Sequence, residues 1–199
     1  MITDRLIKRE YDLFASLDAA FSGGVRFLQF REKDLPANER FLLGKEVKEL
    51  SDLYKVKFIV NGDPSLALAL GADGVHLGRN TLPIRVVRGK LKFKGIIGYS
   101  AHSVEEVRDA FNSGADYVTL SPIFESISKT TSVPSLGLEI FKNEVSYISG
   151  PVYALGGISP VNALGCINAG AYGVAVVGAI LGTDDPSCSA KEILNIISC

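Results

Sequence analysis

The chain has 199 residues, 47% of them apolar, with 21 basic against 22 acidic side chains and a formal charge of −1. That balance excludes a disordered tail and a basic nucleic-acid surface, and no apolar run approaches the roughly 20 residues that a bilayer crossing needs. Cys166, Cys188 and Cys199 form no C-x-x-C pair, which argues against a disulfide framework or a zinc site. Met1 to Arg5 carries no signal-peptide pattern, so the expectation is a cytoplasmic protein of one domain spanning residues 1–199, with no membrane or nucleic-acid partner.

In chain order, the first predicted strand lies near Ile2, with Met1 to Thr3 to build it. Further strands are read near Phe27, Phe58, Val75, Ile97, Val118, Tyr153 and Ala175. Their continuous apolar runs suit a parallel sheet buried on both faces. Between them, Pro36 to Tyr54 has apolar residues at helical spacing. Ser103-Val104-Glu105-Glu106 has the S-x-x-E capping-box pattern, and Ser159-Pro160 reads as an N-cap with a first-turn proline. A glycine-led turn recurs before strands: Gly23-Gly24-Val25, Gly71-Ala72-Asp73, Gly114-Ala115-Asp116 and Gly170-Ala171-Tyr172. Eight strands alternating with helices predict an α/β fold, a single (βα)8 TIM barrel, near the lower size limit for that architecture. A doubly wound open sheet competes, but its G-x-G-x-x-G fingerprint is missing after the first strand. The segment from Pro122 to Pro134, rich in Ser and Thr, reads as an active-site lid.

In a barrel the reactive groups sit at the carboxyl ends of the strands. The second predicted strand ends in Gln29-Phe30-Arg31-Glu32-Lys33-Asp34, where alternation puts Gln29, Arg31 and Lys33 on one face. Arg31 and Lys33 suit a phosphate or pyrophosphate, or else form a rim salt-bridged to Glu32 and Asp34. Gly156, Gly157, Gly178 and Ala179, after the last two strands, fall where this fold binds phosphate through backbone N–H groups. His102, between a strand end and a helix start, reads as a neutral base, with capping as the alternative. Asn61 either binds ligand or shapes its turn, Lys129 is a ligand clamp or a solvated loop lysine, and His76 fits simple strand packing.

Taken together, Phe27 to Asp34, Ala69 to Gly78, Ser100-Ala101-His102-Ser103, Gly114 to Val118, Ser121-Pro122-Ile123-Phe124 and Ala154 to Ile158 resemble the thiamin phosphate synthase/TenI family over nearly the whole chain. The resemblance implies one of two activities on a small phosphorylated thiazole. A synthase would join a pyrimidine diphosphate to the thiazole phosphate with Mg²⁺. Gln29, Arg31, Lys33, Asn61 and Lys129, with Ser100 beside them, would then handle the diphosphate, and the Gly156-Gly157 turn and last strand exit would hold the thiazole phosphate. A TenI-like thiazole tautomerase would need no metal and would use His102 as its proton shuttle.

Two positions separate the branches. Where synthases of the family carry Mg²⁺-binding aspartates, this chain has Gly62 and Thr81, leaving Asp63 as the substitute ligand if the synthase reading holds. On that ground the sequence favours the metal-independent tautomerase, an isomerase, over the synthase. Other phosphate-binding barrels, such as the indole-glycerol-phosphate synthase type, would share the glycines but not Gln29-x-Arg31-x-Lys33. A catalytically silent sensor of thiamin precursors is the alternative outside enzymes. The resemblance also points to a homodimer.

Overall fold

Four helices that lead into strands stop at a glycine in left-handed backbone: Gly24, Gly71, Gly114 and Gly170 have φ of 108°, 58°, 100° and 94°. A side chain rarely adopts that conformation, so the glycine-led repeat of the sequence marks true helix ends. In the computed structural model, which describes residues 1–8, 12–125 and 134–198, the elements run α1 (Leu13–Ser22), β1 (Phe27–Phe30), α2 (Ala37–Leu53), β2 (Lys57–Asn61), α3 (Pro64–Ala69), β3 (Gly74–Leu77), α4 (Ile84–Gly89), β4 (Ile96–Ala101), α5 (Val104–Asn112), β5 (Tyr117–Leu120), α6 (Gly137–Val145), β6 (Val152–Leu155), α7 (Pro160–Asn168), β7 (Gly173–Ala175), α8 (Gly178–Leu181) and α9 (Pro186–Ile197). Caps fall where the side chains predict them. Ser103 accepts the Glu106 N–H, and Ser159 shares a capping box with Asn162. The Glu106 carboxylate, however, takes the N–H of His102 and not that of Ser103.

The described strands form a seven-stranded parallel sheet in sequential order, β1 to β7. The eighth predicted strand, at Ile2, is instead an isolated parallel bridge to Gln29. The chain turns at Asp4, whose carbonyl accepts the Ile7 N–H, which limits the aligned segment to Met1–Thr3. That segment links both ends of the sheet: Gln29 N–H donates to Met1 O and Ile2 N–H donates to Val176 O, each at 2.9 Å.

One face of the strands carries Leu28, Phe30, Phe58, Val60, Val75, Leu77, Ile97, Val118 and Leu120, which pack against helical Leu17, Val47, Ala67, Val107 and Phe141 in one core. The alternate positions carry Gln29, Asn61, His76, Ser100, Tyr117 and Thr119 together with apolar Phe27, Ile59, Ile96 and Leu155, so the second face is mixed. Both faces are buried, as with Ile59, His76 and Thr119, but the continuous apolar run is complete only on the helix-facing side. Among the described residues no helix is long and apolar enough to cross a membrane.

Candidate active site

The ladder register carries side chains from neighbouring strands to one end of the sheet. Asn61 pairs with His76, and Ser100 with Thr119. The Asn61 Nδ2 donates to Gln29 Oε1 at 3.0 Å, so these two predicted ligand residues meet. Next to them His76 is buried, with Nδ1 2.9 Å from the Tyr117 hydroxyl and Nε2 2.8 Å from Ser100 Oγ. Burial, reinforced by the Lys33 charge, lowers the His76 pKa to about 3, so the ring is neutral. Tyr117 is shifted the other way, its phenol held protonated by burial.

The cations at the β1 exit are not a salt-bridged rim. Arg5 takes both neighbouring acids: its guanidinium pairs with Asp34 and lies 3.8 Å from Glu32, while its backbone N–H donates to Glu32 at 3.2 Å. Glu32 is buried, and desolvation raises its pKa. Arg31 and Lys33 consequently have no ion pair among the described residues. Partial burial and the charge of Arg31 both lower the Lys33 pKa. Two unpaired cations close enough to repel each other form an arrangement that an anion would relieve.

The positions expected to bear on a metal lie together. A Cβ added to Gly62, where φ is +79°, would stand 3.6 Å from Thr81 Cγ2. Neither residue offers a carboxylate. Asp63, the possible substitute, is already committed: one oxygen caps α3 through the Leu66 N–H and the other holds Arg40, both at 3.0 Å. Mg²⁺ takes one or two carboxylates in near-octahedral geometry, and these residues do not fit that requirement. No cluster of three or more His, Cys, Asp or Glu capable of holding a metal occurs among the described residues.

Gly156 and Gly157, with φ of 101° and 62°, follow β6. A Cβ at Gly156 would lie 2.9 Å from Pro122 Cα, and one at Gly157 would lie 2.4 Å from Glu125 O, so the loop after β5 requires both glycines. Gly178 and Ala179 open α8, and neither their N–H groups nor that of Gly157 donates to a carbonyl among the described residues. His102 is exposed at the β4 exit, donating from Nδ1 to the Ser121 carbonyl at 2.7 Å. That bond leaves Nε2 as the free nitrogen. Lys129 and most of the predicted lid, residues 126–133, lie outside the described residues.

Sequence reasoning missed two contributors. Arg5 was given no part in the site, although its side chain pairs with Asp34 and lies beside Glu32. Tyr117 was noted only within a motif. Strand parity was the available signal, since Tyr117 shares a face with Thr119 and Ser121.

The fold and site define an α/β protein of sequential parallel strands, with its polar groups gathered at the strands' carboxyl ends. The chain belongs to the thiamine monophosphate synthase family, whose model matches residues 1–180. It is 38% identical over 196 residues to the thiamine-phosphate synthase of Desulfitobacterium hafniense (strain Y51), covering 98% of this chain and 95% of the relative. It is 37% identical to that of Roseiflexus sp. (strain RS-1), covering 100% and 84%. A solved structure of thiamine phosphate pyrophosphorylase from Pyrococcus furiosus superposes with a TM-score of 0.90 at 34% identity, over 99% of this chain and 93% of the other.

These relatives correct the favoured activity. The two relatives are named as synthases, which are transferases, and the solved structure as a pyrophosphorylase, so the isomerase reading is not supported. The tautomerase reading gave Gly62 and Thr81 too much weight against Gln29, Arg31, Lys33, Asn61 and Ser100, the positions that the resemblance assigned to the diphosphate.

Proposed function

We propose that the chain is a thiamine-phosphate synthase, joining hydroxymethylpyrimidine diphosphate to thiazole phosphate with release of pyrophosphate. The observation that carries the chemistry is that Arg31 and Lys33 have no ion pair among the described residues, where Arg5 holds Glu32 and Asp34. A bond from pyrimidine carbon to thiazole nitrogen forms as the carbon–oxygen bond to the diphosphate breaks. The departing pyrophosphate gains negative charge, and fixed cations at its position favour that state over the ground state. Arg31 and Lys33 hold the diphosphate, while Gln29, Asn61 and Ser100 orient the pyrimidine half. The free N–H groups of Gly157, Gly178 and Ala179, with Gly156 shaping the loop, receive the thiazole phosphate. Lys129 completes the diphosphate side in this reading.

Mg²⁺ is the cofactor this reaction class implies. The chain's own carboxylates do not fit it at Gly62, Asp63 and Thr81, so the reading assigns the protein's share of charge neutralisation to Arg31 and Lys33. Hydrogen bonds from Met1–Thr3 to β1 and to Val176 support an eighth position that closes the sheet as a (βα)8 barrel, in one domain. A cytoplasmic setting follows from the same reading. Titration calorimetry with pyrophosphate tests the site: wild type should bind it, and Arg31→Ala with Lys33→Ala should lose about 10- to 100-fold per residue, the worth of a charged hydrogen bond. Equal binding by wild type and the double variant would refute the assignment.

A further inference from the structure

We propose that Tyr117 and His76 are positioning residues that fix the direction of the Ser100 hydroxyl, making it a hydrogen-bond donor toward the substrate. The inference rests on the synthase reading for the identity of that substrate, but its structural basis is independent. Tyr117, His76 and Ser100 form one hydrogen-bonded series beside the Asn61–Gln29 pair. Asn61 Nδ2 donates to Gln29 Oε1, so the other end of the Gln29 amide is its NH₂. Tyr117 is buried with its phenol protonated, and a buried O–H has to be spent on an acceptor. Among the described residues its hydrogen-bond partner is His76 Nδ1, at 2.9 Å, so the Tyr117 O–H gives its proton to that nitrogen.

Because His76 is neutral, Nδ1 accepts and Nε2 carries the proton. Nε2–H donates to Ser100 Oγ at 2.8 Å, and the Ser100 proton is left to point elsewhere. Each link fixes the next, and a reversal at any one would set two donors or two acceptors against each other. The backbone is shaped for the series as well. A Cβ at Gly98 would lie 2.2 Å from Tyr117 Cζ and 2.5 Å from His76 Nδ1, so glycine is what lets those rings meet. An apolar residue would fill the same space without this polar burial, which argues that the series serves the ligand and not packing.

The test has two arms. Long-range proton–nitrogen correlation spectra of the full chain read the His76 tautomer directly, with His102 the single other histidine to assign. We expect Nε2 protonated and Nδ1 bare from about pH 5 to 8. An Nδ1–H tautomer or an imidazolium within that range overturns the proposal, whether or not the chain makes thiamin phosphate. In the kinetic arm, Tyr117→Phe should lower kcat/KM about tenfold, the worth of one neutral hydrogen bond. Combined with Ser100→Ala it should cost no more than Ser100→Ala alone. Multiplying effects would mean that Tyr117 does not act through Ser100 and would overturn the proposal. A wild type with no turnover would defeat the synthase reading alone, and the tautomer would still decide this one.

Discussion

Gly62 and Thr81 stand side by side: a Cβ on the glycine would come within 3.6 Å of Thr81 Cγ2, although nineteen positions separate them in the chain. The turns after β2 and β3 thus converge on one spot, which lacks a carboxylate. Replacing both residues by Asp should create a Mg²⁺ site, read as a magnesium-binding heat in calorimetry that wild type lacks or shows more weakly. Stability should fall by about 1–3 kcal/mol, because Gly62 sits at φ +79° and Thr81 ties its own turn through Gly78. Unchanged magnesium affinity would mean that the two turns do not present a joint site.

Arg5 carries the arrangement at the β1 exit. Arg5→Ala should destabilise the protein by about 1–3 kcal/mol, since buried Glu32 loses the cation 3.8 Å away while keeping the backbone N–H of position 5. Glu32→Gln in the Arg5→Ala background should recover much of that loss in urea unfolding. A cost below about 1 kcal/mol would place the pair among ordinary surface ion pairs.

Arg31→Ala and Lys33→Ala should act oppositely on stability and on function. Each removes one of two repelling cations and should leave the melting temperature unchanged or raised. Each should also raise the KM for the pyrimidine diphosphate by about 10- to 100-fold. Steady-state kinetics beside a thermal melt checks both signs.

Gly98→Ala should be among the most damaging single-methyl changes in the chain. Its Cβ would overlap both Tyr117 and His76, and overpacking of this kind typically costs about 1–3 kcal/mol. Activity should fall more than in Tyr117→Phe, because the rings are displaced and not merely uncoupled.

His76 sets a pH dependence. Its folded pKa, about 3, lies below the ordinary 6.5, so the unfolded chain binds the proton that the folded chain refuses. The stability it contributes is fully present above pH 6.5 and is lost as pH falls toward 3. Between pH 6.5 and 4.5, wild type should lose stability more steeply than His76→Gln. Parallel slopes would show that His76 is readily protonated in the folded state.

The seven strands, the caps at Ser103 and Ser159 and the glycine-led helix ends were legible because each rests on local chemistry within a few residues. At Ile2 the structure shows an isolated bridge, since Met1–Thr3 is too short for sequence pattern to separate a bridge from a strand. What the residues at the β1 exit do was less legible. Whether Glu32 and Asp34 quench Arg31 and Lys33 depends on Arg5, which lies 27 and 29 positions away and meets them only after folding. The fate of Asp63 likewise turns on Arg40. The choice between tautomerase and synthase was decided by two absent carboxylates, while the retained cations, whose freedom only the fold reveals, pointed the other way.

The most direct test supplies purified protein with hydroxymethylpyrimidine diphosphate and thiazole phosphate together, with Mg²⁺, and follows pyrophosphate release and product mass. The account predicts stoichiometric pyrophosphate and thiamin phosphate at an enzymatic rate, falling steeply in Arg31→Ala with Lys33→Ala. No thiamin phosphate above the uncatalysed level from folded wild-type protein would contradict it.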